Sequence, residues 1–69
     1  MLKGGNMREI DKKLLNACEI GDLEKVKQLL ENGADVNAEN KYGLTALMYA
    51  SYNGHKEVVE LLKSYGAKE

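Results

Sequence analysis

Apolar residues recur at helical spacing in four short runs, each closed by a glycine. In the first run Ile10, Leu14, Leu15, Ala17 and Cys18 lie on one side of a helix predicted over about 8–19. Gly21 stops it, and Asp22 offers an N-cap oxygen to the next. Leu23, Val26, Leu29 and Leu30 make the stripe of a second helix, over about 22–31. Glu24, Lys25, Lys27 and Gln28 fall on its polar side, and Asn32-Gly33 ends it. A third helix is predicted over about 45–52, ended by Asn53-Gly54. A fourth follows over about 56–64, with Val58, Val59, Leu61 and Leu62 turned inward and Gly66 as its close. At the start, Asn6 and Glu9 have the spacing of a capping box, and Asp11 is a second candidate cap. Residues 1–6, with Gly4 and Gly5, read as a flexible lead-in.

The link between the second and third helices is dense in turn formers: Gly33, Asn37, Asn40 and Gly43. Gly33 suits the left-handed close of a helix, and Gly43 suits a return turn. Thr45 stands where an N-cap hydroxyl is wanted. The link therefore reads as a protruding turn between two helix pairs. The two pairs also repeat each other. Gly21 and Gly54 are 33 residues apart, and Leu14/Leu47, Ala17/Ala50, Val26/Val59, Leu29/Leu62 and Gly33/Gly66 keep that offset. Those repeated apolar positions are expected to be the most buried in the chain.

Residues 33–50 read GADVNAENKYGLTALMYA. This resembles the join between two ankyrin repeats, G-A-D-V-N-A followed by D-x-x-G-x-T-P-L-H-x-A. Asn40 stands for the Asp, Ala46 for the Pro and Met48 for the His, while Gly43, Thr45, Leu47 and Ala50 match. Gly54-His55, Val58-Val59 and Leu61-Leu62 then resemble the family's G-H-x-x-V-V-x-L-L. The likeness covers about residues 8–67. It implies an all-α stack of two helix–turn–helix repeats, 7–39 and 40–69, with one protruding β-turn. The first half resembles an N-terminal capping repeat, with lysines at 12 and 13. The second resembles a C-terminal cap through Ala46 and Lys63, yet Val58, Val59 and Leu61 keep an internal character. Repeat arrays usually need at least about three units for stability. Two units are therefore expected either to be marginally stable or to form a homo-oligomer through the C-terminal repeat, and a self-associating assembly module with no other partner is the alternative function.

Composition narrows the chemistry. A net charge of −1 implies no basic surface for nucleic acid. No run approaches the roughly 20 apolar residues of a membrane span, and the start lacks the apolar core of a signal peptide. A single cysteine forms no intrachain disulfide, so a reducing, cytoplasmic setting is expected. One His and one Cys do not build a metal site or a nucleophile–base pair, and no phosphate-binding glycine loop is present. No enzyme activity, cofactor or metal is expected. Cys18, whose counterpart is Ser51, reads as a small packed residue, and the resemblance of Gly54-His55 to the family's G-H implies that His55 is a structural residue making local hydrogen bonds.

Resemblance to ankyrin repeats implies binding of a protein partner by the turn tip and the adjoining face of each first helix. By position that surface comprises Glu39, Lys41, Tyr42 and Leu44 on the turn, Tyr52 and Asn53 on the third helix, and Glu19 and Ile20 on the first. Tyrosine is a common interface anchor. The competing reading has Tyr42 and Tyr52 packed against each other. Tyr49 and Tyr65 are expected to pack on the body.

Overall fold

Four helices carry the regular structure of the computed structural model, which describes residues 7–69: α1 (Glu9–Ile20), α2 (Leu23–Glu31), α3 (Ala46–Tyr52) and α4 (Lys56–Ser64). Local chemistry accounts for most of the boundaries. Asp22 Oδ1 accepts from the Lys25 N–H at 3.2 Å, and Thr45 Oγ1 accepts from the Met48 N–H at 3.3 Å. Each satisfies one of the donors a helix start leaves unpaired. Gly21 ends α1 at φ +88°, and its N–H donates to the Ala17 carbonyl at 2.8 Å. The link between α2 and α3 holds one isolated antiparallel bridge, Glu39 to Thr45, and not a paired hairpin.

The start of α1 departs from the expected capping. Asn6 and the lead-in 1–6 lie outside the described residues. Arg8 is the N-cap and makes no side-chain cap bond. Asp11 is not a cap either: it sits inside α1 and is only 5% exposed. Its carboxylate accepts from Arg8 Nε at 3.0 Å, from Arg8 Nη2 at 3.1 Å and from the Asp35 N–H at 2.8 Å. Arg8 Nη2 also donates to the Gly33 carbonyl at 3.0 Å. The pair thus ties the first turn of α1 to the chain leaving α2. Burial by itself pushes the Asp11 carboxyl up. The Arg8 hydrogen bond, the Asp35 N–H and the guanidinium charge outweigh burial and hold it below its ordinary value.

α1 packs on α2 and α3, α3 packs on α4, and α2 touches α4. One core runs through all four, and Leu14, Cys18, Val26, Ala46, Ala50 and Leu62 have no exposed surface. Ala17, Leu29 and Leu47 are buried as expected. Val59 is not: it is half-buried, and its neighbour Val58 is the buried valine of α4. Leu61 is half-buried as well, so two of the four inward positions of α4 are only partly covered. Tyr65, expected against the body, is exposed.

A second clasp joins the pairs at their other end. His55 Nε2 lies 3.0 Å from the Glu19 carbonyl, which places the ring proton on Nε2, since a carbonyl only accepts. Asn53 Nδ2 donates to the same carbonyl at 3.2 Å. The end of α1 is therefore capped by the turn after α3, and the contact of His55 is long-range and not local. Gly21 makes room for it: a Cβ there would stand 2.5 Å from His55 Nδ1.

Two outcomes test these links. Gly21→Ala and Gly54→Ala both place a side chain at positive φ, but only the first displaces His55. Gly21→Ala is expected to cost about 1 kcal/mol more than Gly54→Ala in urea unfolding, roughly the worth of the lost hydrogen bond. Equal midpoints would show that the clasp contributes nothing. For Asp11, a lowered folded pKa means the contribution is complete above about pH 4, the ordinary carboxylate value, and is lost as pH falls through the folded value. Asp11→Ala should cost about 1–3 kcal/mol at pH 7 by leaving the Asp35 N–H unpaired. The gap to the parent should shrink in thermal melts as pH falls from about 4 through the folded value. A gap independent of pH would remove the carboxylate from the account.

Candidate functional site

The exposed end of the α2–α3 link is built around Asn40. Its Oδ1 accepts from the Tyr42 N–H at 2.8 Å and from the Leu44 N–H at 3.0 Å. Its Nδ2 donates to the Tyr49 hydroxyl at 3.0 Å, so the turn is anchored to α3. Its backbone N–H donates to the Leu44 carbonyl at 3.0 Å, and its carbonyl accepts from the Gly43 N–H at 2.9 Å. Gly43 closes the loop at φ +78°, where a Cβ is disfavoured. Both faces of one small side chain thus fix five residues, 40–44, in a single conformation. Tyr42 is carried at the apex and is 74% exposed, with Lys41 Nζ 5.5 Å from its ring centre. That spacing suits a cation–π contact.

The helix-end group forms around the Glu19 carbonyl. Because Asn53 and His55 both hydrogen-bond to it, Glu19, Ile20, Tyr52 and Asn53 come together at the adjoining ends of α1 and α3. Ile20 is 66% exposed and Tyr52 is 77% exposed. The Asn53 amide is engaged twice, donating also to the Tyr49 carbonyl at 3.1 Å, so it works as a fastener. The eight residues therefore form two groups at opposite ends of α3. Seven residues at about 1.5 Å rise put them roughly 10 Å apart along that helix. Tyr42 and Tyr52 fall in different groups, and their exposure is far from that of a packed pair. Leu44 is half-buried and Glu39 is exposed beside its bridge to Thr45.

Between the groups, α1 and the turn enclose a shallow hollow of about 230 Å³, lined by Lys12, Leu15, Asn16, Glu19, Asn40 and Tyr49 among others. Lys12 and Asn16 join the surface through α1, two and one helical turns before Glu19. Sequence reasoning did not single them out, although the offset that marks Tyr49 also marks Asn16. No convergent chemistry accompanies this surface. Cys18 is buried, and burial pushes its thiol up to about 12, so it is held as the inert thiol. Among the described residues no group of three or more His, Cys, Asp or Glu is placed to hold a metal ion. No described helix is long and apolar enough to cross a membrane.

Known proteins are similar to this chain in sequence. A family model described as ankyrin repeats, three copies, matches residues 2–69. The mitochondrial disaggregase of Homo sapiens is 44% identical over 57 residues, which is 83% of this chain and 8% of that protein. Osteoclast-stimulating factor 1 of Rattus norvegicus is 42% identical over 53 residues, 77% of this chain and 25% of its own length. Ankyrin repeat domain-containing protein 40 of Homo sapiens is 41% identical over 64 residues, 90% of this chain and 17% of its own. The chain thus spans a quarter or less of the length of these curated relatives. Ankyrin repeats are in general protein–protein interaction modules, and the repeat fold itself is non-catalytic. With its glycines, leucines and alanines repeating at 33 residues in two stacked helix pairs, and with the family model matched over 2–69, this chain belongs to the ankyrin repeat family.

Proposed function

We propose that this chain is a recognition module whose two repeats, 7–39 and 40–69, hold a protein partner across the turn tip and the inner face of α1 and α3. The observation that carries the reading is the exposure of Ile20, Tyr42 and Tyr52 on a backbone held by hydrogen bonds. A large side chain on a rigid support loses little conformational freedom when a partner covers it. Tyr42 and Tyr52 are the anchors, with Ile20 and Leu44 extending the apolar contact and Glu19, Glu39 and Lys41 setting its charge. Asn53 serves the surface by holding α1 to α3. Binding needs no cofactor or metal, and neither nucleic acid nor a membrane is the partner. The free, buried thiol of Cys18 suits a reducing compartment such as the cytoplasm.

The test is affinity capture from the source cell with the parent chain and with Tyr42→Ser and Tyr52→Ser. Each substitution is expected to weaken retention of the captured protein by about tenfold or more, the loss of an interface anchor. Helix content by circular dichroism should stay at the parent level. Retention that is unchanged in both variants, or that falls only in step with helicity, would move the binding surface elsewhere.

A further inference from the structure

Residue-by-residue comparison at the 33-residue offset separates two sides of each helix pair. Residues buried in α1/α2 but open at the matching place in α3/α4 mark the side that a following pair covers. Leu15 is buried while Met48 is 41% exposed; Cys18 is buried while Ser51 is exposed. Val26 is buried and Val59 only half-buried, and Leu30 is buried where Lys63 is exposed. On α3/α4 this side holds a shallow hollow of about 270 Å³, with Leu47, Met48, Ser51, Tyr52, Val59 and Lys63 along it. The other side reverses the pattern. Lys13, Asn16 and Lys25 are exposed where Ala46 and Val58 are buried and Tyr49 is half-buried.

That asymmetry decides what a second copy can offer. Head-to-tail stacking would press Lys13 and Lys25 onto Leu47 and Val59, and ammonium groups lose water there at high cost. Like side on like side instead buries Met48, Val59 and their neighbours against themselves. Such a contact is self-complementary about a two-fold axis and closes after two chains. The rim is compatible with it. Lys63 and Glu69 stand 3.3 Å apart, and Lys68 lines the same hollow, so both signs of charge are present. Rotation about the axis can therefore set Glu69 of one copy against a lysine of the other.

We propose that the 69-residue chain pairs with a second copy through the α3/α4 side, with Met48 and Val59 at the centre, as a closed two-fold dimer. Sedimentation of the purified chain over about a hundredfold range of concentration tests it. The average mass should climb from one chain towards two and stop there, and the melting temperature should rise with concentration. Met48→Lys and Ser51→Lys, both at exposed positions, should each weaken pairing by about tenfold or more at unchanged helix content. Lys13→Ala, on the opposite side, should leave it unaltered, and Tyr52 is kept intact because it also belongs to the proposed partner surface. A single-chain mass at every concentration overturns the proposal and leaves this side to a further helix pair. Open-ended growth also overturns it, as does a dimer indifferent to both lysine variants.

Discussion

Two helix pairs of this size cannot each complete a core, and the seam between them is the contact on which the rest depends. Leu14, Cys18 and Val26 of the first pair reach zero exposure, as do Ala46, Ala50 and Leu62 of the second. Alanine at 46 and 50 matters here because a small side chain lets α3 lie close to α1. In a solenoid, stability is approximately the sum of what each repeat contributes and what each interface adds. With one interface in the described chain, every group that orders the seam counts for a larger share of the total than it would in a long array.

Polar groups fasten the chain leaving each helix pair, and they do so in a repeating way. In the first pair, the Gly33 carbonyl accepts from Arg8 and the Asp35 N–H donates to Asp11. At the same offset in the second pair, the Gly66 carbonyl accepts from Asn37 Nδ2 at 3.3 Å and the Lys68 N–H donates to Asn37 Oδ1 at 2.9 Å. One neutral amide does in the second pair what an ion pair does in the first. An amide carries a donor and an acceptor on one short side chain, which is enough when it comes from the preceding turn. The opposite end is closed by His55 and Asn53 on the Glu19 carbonyl. These contacts fix the relative position of α1, α3 and the connecting turns, which are the elements that carry Ile20, Tyr42 and Tyr52.

The turn tip is rigid without being helical. Asn40 gathers two backbone N–H groups and the Tyr49 hydroxyl, so the apex inherits the order of α3. Its conformation does not depend on Tyr42, whose ring makes no contribution to the hydrogen bonds that hold the turn. Substitution at the apex is thereby free to change the exposed side chain while leaving the scaffold as it is. That separation of scaffold from contact residues is how one repeat fold serves many partners.

Much of the fold was legible from local rules. The four helices, the caps at Asp22 and Thr45 and the 33-residue period follow from hydrophobic spacing, capping chemistry and the backbone freedom of glycine, all of which act within a few residues. Exposure of Tyr42 and Tyr52 followed from their places in the repeat, but whether they met each other did not. Asp11 read as a candidate cap, because only the approach of Arg8 and the Asp35 N–H makes a buried carboxylate tolerable. His55 read as a local residue, because its partner carbonyl lies 36 positions away. The 33-residue offset chose Val59 as the buried valine of α4, and the structure buries Val58 instead. Adjacent helical residues differ in direction by about 100°, and what covers each direction is another element. The sequence by itself determined where the chain bends and which stripe is apolar, since those depend on near neighbours. Tertiary structure decided which part of the stripe is covered, since Val58 is buried against the first helix pair and Val59 lies on the side that α3 and α4 leave half open.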